Sequence, residues 1–449
     1  MLPRGPRAFS QAAATALRPP SGSAPERLCV AELPGSELAY FAEGGGGGDG
    51  GRPPRGFLPP PGRCFSFCVP SGPSAGERVR AARLHRRAEQ RLSREPFGPG
   101  GAAEVLPLLA YAGPSGSRPE KGFLVRDRRR LPETERALED LVRLILPPPA
   151  RLLSVYEAAA AEDGGGGPLW RSLWRLQGAP ESKVLLGRAR VAGAAEPALH
   201  PAAPHLLDGA AVFASFEAAR ASLRECLSVI PEAKAVLDLV DGCPVHAKKG
   251  DFPVIVIEGL DATGKTTVTH ALKDSLNAVL LRSPPPCVSQ WRKVFDDEPT
   301  LIRRAFYALT NYIVASEIAE QSTKSPVIVD RFWHSTAAYA IATEISGKIQ
   351  HLPPVHHPVY RWPGDLLKPD LVLLLTVSPE ERIRRLQGRG IEKTREEAEL
   401  EANNIFRQKV EESYLRMENP ACQPVDASPS REEVLKTVHH LIKKQCHFP

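Results

Sequence analysis

At 449 residues, with 42% hydrophobic and 24% charged side chains, the chain has the length of two or three ordinary domains and a globular balance. No apolar run approaches the ~20 residues of a membrane-spanning helix. The net charge of +6 is mild, and its basic runs, such as residues 126–130, are brief and lack interleaved aromatics, which argues against direct nucleic-acid binding. Eight cysteines are scattered along the chain. Cys64 and Cys68 form the one close pair, without a second pair at zinc-site spacing, so reduced thiols in an intracellular compartment are expected.

Before Glu26 the chain has no acidic residue, while Arg4, Arg7 and Arg18 are basic. At ~100° per residue these arginines share one helical face, and Leu2, Phe9, Ala13 and Leu17 share the opposite one. A basic, acid-free, amphipathic start is the pattern of a mitochondrial transit peptide. The rest of residues 1–75 is rich in Pro, Gly and Ala, without sustained periodicity, and reads as a linker. Residues 76–245 read as a small α+β accessory domain whose function the sequence does not declare. Pro132 and Glu133 open a helix striped by Ala137, Leu138, Leu141, Val142 and Ile145, which Pro147 stops. Residues 152–161 and 213–229 are further helix candidates, 183–186 a strand. Leu169, Trp170, Leu173 and Trp174 read as core.

From about residue 250 to 449 the low complexity gives way to an alternation of strands and helices. Strands are expected at 254–257, 279–281, 327–329, 371–377 and 424–425. Helical stripes run through Ile302, Ala305, Phe306, Leu309 and Ile313, and through Ala398, Ala402, Ile405, Val410 and Tyr414. This α/β alternation predicts a doubly wound parallel sheet with its site at the carboxyl edge.

The first strand candidate runs directly into Gly259-Leu260-Asp261-Ala262-Thr263-Gly264-Lys265-Thr266, a phosphate-binding loop followed by a helical pattern. The glycines permit a turn in which successive N–H groups face an anion, and the helix adds its positive end. Lys265 is expected to reach the β- and γ-phosphates of ATP, and the Thr266 hydroxyl suits Mg²⁺. At the end of the 327–329 strand, Asp330 suits Mg²⁺ through water and Arg331 suits phosphate oxygens. Arg384, Arg385 and Arg389 surround two glycines, a composition suited to a lid over a transferring phosphoryl group.

Glu258-Gly-Leu-Asp261-Ala-Thr-Gly-Lys265-Thr, Asp330-Arg331-Phe-Trp-His-Ser335-Thr-Ala-Ala338-Tyr339, Lys368-Pro369-Asp370 and Val425-Asp426-Ala427-Ser428 together resemble the thymidylate kinases over about residues 250 to 445. The resemblance implies a P-loop nucleoside monophosphate kinase using ATP and Mg²⁺. It places Asp261 by the acceptor sugar and phosphate, Arg331 on the acceptor phosphate, Arg385 and Arg389 in the lid, and the Asp426 loop beside the ATP base. Phe306, Asn311, Tyr339 and Arg282 fall on the acceptor side, and the resemblance leaves room for a homodimer. Two departures stand out. Where the family carries an arginine after Arg-Phe-Pro, this chain reads Arg282-Ser-Pro-Pro-Pro286-Cys287, so Arg282 or Arg292 would have to replace it. Where a base-reading arginine is usual, it reads Thr310-Asn311-Tyr312, an amide and hydroxyls able to hydrogen-bond uracil or cytosine. These departures and the apparent transit peptide resemble the mitochondrial branch of the group that accepts UMP, CMP, dUMP and dCMP.

A deoxynucleoside kinase would share much of this pattern but needs a base for the 5′-hydroxyl, for which Glu258 is the obvious candidate. A regulatory GTPase is disfavoured by the absence of an Asn-Lys-x-Asp sequence. A scaffold role carried by the N-terminal half, with ATP binding alone, is the third alternative.

Overall fold

The computed structural model describes residues 27–43, 62–94, 97, 103–112, 118–159, 167–208, 211–244, 247–387 and 400–448. The expected transit peptide and the lid residue Arg389 lie outside the described residues.

The N-terminal half is a closed antiparallel barrel of eight strands in the order β1-β2-β8-β7-β6-β3-β5-β4. These are β1 (Arg27–Leu33), β2 (Glu37–Glu43), β3 (Arg63–Val69), β4 (Ala103–Ala112), β5 (Glu120–Asp127), β6 (Leu152–Ala158), β7 (Leu169–Leu176) and β8 (Lys183–Gly193). Closure removes every edge strand, and alternate residues divide between the lumen and an outer face. On β3, Phe65, Phe67 and Val69 pack outward in one core, while Cys64 joins an inner core with Phe41, Leu124 and Tyr156. Helices α1 (Ala75–Leu92) and α2 (Pro132–Ile145) cover the outer core. A reciprocal Ser74–Glu77 capping box starts α1.

Three expectations change here. The barrel begins at Arg27, inside the stretch that reads as linker, so β1 to β3 belong to the accessory domain. Residues 152–158 are a strand, because Ser154 and Tyr156 point inward to partners while Leu153 and Val155 join the outer core. Of the Leu169–Trp174 cluster only Leu169 is fully buried; Trp170 and Trp174 lie half-exposed beneath Arg188 and Lys183, each 5.0 Å from the ring centre. All eight cysteines are free thiols, and burial pushes Cys64 up to about 12 and Cys68 to about 11.

Helices α3 (Phe216–Arg224) and α4 (Glu232–Asp241) join the C-terminal half instead of the barrel. Leu223, Ile230, Val236 and Val240 share a core with Phe295, Ile302, Phe306 and Leu309. That half is built on a five-stranded parallel sheet in the order β10-β11-β9-β12-β13. Its strands are β9 (Val254–Gly259), β10 (Val279–Arg282), β11 (Val327–Asp330), β12 (Leu371–Thr376) and β13 (Gln423–Asp426). Helices α5 (Lys265–Leu276), α6 (Arg292–Asp296), α7 (Thr300–Gln321), α8 (Trp333–Glu344) and α9 (Pro379–Gln387) follow in chain order, before the helices Asn404–Leu415 and Arg431–Gln445. Val254 and Val256 face the α7/α8 core, and Ile255 and Ile257 face the opposite one with Val268 and Val438. Burial on both faces explains why these strands read as continuous apolar runs.

Candidate active site

Strand β9 is fully buried and ends at Gly259, where the chain turns into the phosphate loop. Gly259 has φ +139°, and a Cβ there would lie 2.5 Å from the Leu375 carbonyl oxygen. Gly264, at φ +96°, caps α5 in the left-handed region. Only glycine takes up both demands without strain. Ala262 between them also has positive φ, at 66°.

Lys265 folds back into this loop. Its Nζ donates to the Leu260 carbonyl at 2.7 Å and lies 4.0 Å from an Asp261 carboxylate oxygen. Burial, and then the nearby Arg331 charge, lowers the Lys265 ammonium to about 7 despite the opposing pull of Asp261, Asp330 and Glu258. Arg331 donates to Asp261 at 2.6 Å and to the Ser335 hydroxyl at 3.3 Å. Burial alone would raise the Asp261 carboxyl, but Arg331 and Lys265 outweigh it and hold it below its ordinary value. Arg331 takes φ +65°, a conformation that costs a non-glycine residue of order 1 kcal/mol and clusters at functional sites.

Glu258 holds that backbone in place. It is completely buried; one oxygen accepts from the Phe332 N–H at 2.8 Å and the Ser335 N–H at 3.2 Å. The other accepts from the Ser335 hydroxyl at 2.5 Å and from the Tyr414 hydroxyl at 3.4 Å. A fully buried carboxyl held by two N–H groups and the Ser335 hydroxyl, with the Tyr414 hydroxyl 2.8 Å from Ser335 Oγ behind it, is a strut for the Arg331 turn with no surface open to a substrate hydroxyl.

Asp330 stands beside Arg282 in the β10/β11 register, and its Oδ1 is buried without a hydrogen-bond partner. Arg382, on α9, is 1% exposed; its Nε donates to the Asp261 carbonyl at 3.1 Å, while Nη1 and Nη2 are buried and unpartnered. Arg385 donates to Glu381 at 2.7 Å and to the Ala427 carbonyl at 2.8 Å. With Arg384, Thr263, Gly264 and Pro429 it lines a cavity of about 510 Å³ over the phosphate loop. The Thr266 hydroxyl-bearing residue is exposed at the start of α5.

The acceptor-side residues divide. Asn311 is fully buried between the Ser283 hydroxyl, 2.8 Å from its carbonyl oxygen, and the Thr336 hydroxyl, 3.1 Å from its amide nitrogen. Its neighbours are engaged elsewhere: Thr310 donates to the Tyr307 carbonyl and Tyr312 to Asp365, both at 2.8 Å. Of the three, Asn311 alone bridges the end of β10 to α8. Phe306 is a correction: its ring is fully buried and stacked on Phe295 at 4.3 Å, so it is core and offers no face to a substrate. Tyr339 is buried near Arg331, with the Arg304 guanidinium 6.0 Å from its ring centre. Arg282 is exposed, and its side chain forms no hydrogen bond among the described residues. Arg292 lies 6.0 Å from the Tyr307 ring centre.

Sequence reasoning overlooks Glu258 as a strut, Ser335 and Tyr414 as its donors, and Arg382. Only Arg382 left a usable signal, since it precedes Arg385 by three residues on one face of α9.

Residues 257–438 match the family model described as thymidylate kinase. The chain is 58% identical over 433 residues to the human protein named UMP-CMP kinase 2, mitochondrial, covering 95% of this chain and 94% of that one. A probable thymidylate kinase 1 of Saccharolobus solfataricus is 27% identical over 200 residues, 42% of this chain and 97% of that one. Among solved structures, the thymidylate kinase of Candida albicans is 21% identical and covers 43% of this chain and 92% of that one, with a TM-score of 0.35. Near-full-length identity extends the relationship across the barrel as well as the sheet: the chain belongs to the UMP–CMP kinase 2 branch of the thymidylate kinase family.

Proposed function

We propose that the protein is an ATP-dependent kinase that transfers the γ-phosphoryl group of ATP to the 5′-phosphate of the pyrimidine monophosphates UMP, CMP, dUMP and dCMP, within mitochondria. The observation that carries this reading is Lys265, buried in the phosphate loop 4.0 Å from Asp261, which is itself clamped at 2.6 Å by Arg331. The human relative's name supports the acceptor and the compartment, and the basic, acid-free first 25 residues agree with the latter.

The acceptor is already an anionic phosphate, so the reaction needs positioning and charge neutralisation more than a strong base. That matches the sealed Glu258 and weighs against the deoxynucleoside kinase alternative. Phosphate oxygens entering the loop supply the counter-charge that restores the Lys265 ammonium. Arg331, held by Asp261 and Ser335, faces the acceptor phosphate, and Arg382 offers two free N–H-bearing nitrogens beside the loop. Arg385 closes over the donor side, and Arg389 continues the same basic run. The orphaned Asp330 Oδ1 and the exposed Thr266 are the oxygen donors that Mg²⁺ favours, with Thr266 as ligand and Asp330 acting through water. Bound there, the ion would neutralise charge on the ATP phosphates. Asn311, fully buried with its amide held by Ser283 and Thr336, acts on the base side by fixing the end of β10 against α8.

The test is ADP release from ATP–Mg²⁺ by the full chain with UMP, CMP, dUMP, dCMP and dTMP supplied separately. Turnover of uracil and cytosine nucleotides well above dTMP is the expected result. A dTMP preference would overturn the base assignment while keeping the kinase; no turnover with any acceptor would overturn the kinase.

A further inference from the structure

A second cavity, of about 370 Å³, lies where the barrel meets the kinase half, and it shares no lining residue with the cavity over the phosphate loop. One wall comes from α1, with Arg78, His85 and Arg86, and from Arg118 ahead of β5. The opposite wall is the start of α7, with Thr300 and Arg303, and the end of α8, with Glu344. The volume is within the range of small-molecule sites.

Its charges are unequally matched. Lys121 is paired with Glu344 and Arg86 with Glu89, each at 2.7 Å. Arg78, Arg118 and Arg303 have no carboxylate partner among the described residues, and Glu298 is the one further acid in the lining. Arg303 is only 9% exposed and its side chain makes no hydrogen bond or ion pair among the described residues; its Nε is buried and unsatisfied. Arg78 and Arg118 each donate to a backbone carbonyl, of Pro73 and Asp208, yet Arg78 Nε and Arg118 Nη1 are also buried and unsatisfied. Burial, and then the neighbouring Arg118, push the Arg78 guanidinium below its ordinary value.

Three guanidinium groups with buried orphan donors around one cavity are costly unless an anion completes them. The first turn of the long helix α7 adds its positive end. Val69, Leu109, Leu206 and Leu301 give part of the lining an apolar face that suits a flat ring, with Ser71, His205 and Thr343 as polar groups in the same lining. We infer that this interdomain cavity is a second nucleotide site, taking a nucleoside triphosphate with its phosphates on Arg78, Arg118 and Arg303. Both helices of its kinase wall lead to the acceptor side: Asn311 lies about 12 Å along α7 from Arg303, and α8 begins beside Arg331. An occupant would tie the barrel to those helices. The inference needs only binding and stands apart from the catalytic reading.

The test titrates UTP, and separately inorganic tripolyphosphate, into the full chain carrying Lys265→Ala, which disables the phosphate loop. One saturable UTP site per chain is expected to persist, with Kd raised about tenfold or more by Arg118→Gln, and further by Arg118→Gln/Arg303→Gln. UTP should also slow amide exchange over residues 75–92 and 300–305. Arg118 is partly exposed, so its single variant separates ligand contact from folding. Loss of all saturable binding in Lys265→Ala, or unchanged affinity in Arg118→Gln, would overturn the site. Binding of tripolyphosphate without UTP would overturn the nucleotide assignment.

Discussion

Each half of the molecule buries a cluster of ionisable side chains, and the two clusters are finished differently. In the barrel, Glu43 has no exposed side-chain surface; it lies 3.2 Å from Arg171 and 3.5 Å from Arg27, and it accepts from the Tyr156 hydroxyl. Ser66 and Ser154 complete the network at 2.8 Å from Tyr156 and Arg171. None of Glu43, Tyr156, Arg171 or Arg27 has a buried polar side-chain atom lacking a partner. In the kinase half, Lys265, Asp261 and Arg331 are as closely packed, yet Asp330 Oδ1 and Arg382 Nη1 and Nη2 are left orphaned beside them. A buried cluster that satisfies itself holds a fold together. One with unmet donors and an unmet acceptor is built around something that arrives later.

The contrast predicts opposite phenotypes. Lys265→Ala should lower kcat/KM by about 10²-fold or more, roughly 3 kcal/mol of transition-state stabilisation, while unfolding stays nearly unchanged. Activity within a few-fold of wild type would remove Lys265 from the site. Glu43→Ala should do the reverse: about 3 kcal/mol off the barrel's stability in denaturant unfolding, because Arg171 is left without its counter-charge, with kcat/KM per folded molecule within about twofold. A specific loss of turnover there would dissolve the distinction between the clusters. Arg382→Gln, which removes two donors without a partner among the described residues together with the Nε bond to the Asp261 carbonyl, should cost about tenfold in kcat/KM with little change in Tm.

The smallest effect is in protons. With Lys265 lowered to about 7, the free enzyme loses that charge as pH rises through 7, whereas the ATP-bound enzyme keeps it. ATP binding should therefore take up almost no proton at pH 6 and approach about one at pH 8, weakening up to about tenfold per pH unit above 7. Calorimetry in two buffers of different ionisation enthalpy measures the uptake, and none at pH 8 would contradict the buried, depressed lysine.

The same contrast governs how much the sequence discloses. The parallel strands are buried on both faces, so 254–257, 327–329 and 371–377 stand out as apolar runs within a residue or two of β9, β11 and β12. The barrel's lumen mixes small and polar groups (Cys64, Ser66, Ser154), which blurs the period of two, and the alanines at 158–161 turn β6 into an apparent helix. Lys265, Asp261 and Arg331 are legible because loop chemistry fixes them locally. Glu258 is not, since its partners Ser335 and Tyr414 stand 77 and 156 residues away. Phe306 misleads because an aromatic on a helical stripe looks the same whether it faces core or ligand.

The most direct test of the kinase site is the acceptor itself. The full chain with ATP–Mg²⁺ would be given UMP and uridine in parallel, and the phosphorylated products identified by ³¹P NMR. With Glu258 buried and held by its donors, UDP should form from UMP and nothing from uridine. UMP formed from uridine, at a rate comparable to turnover of the monophosphate, would contradict the site as described.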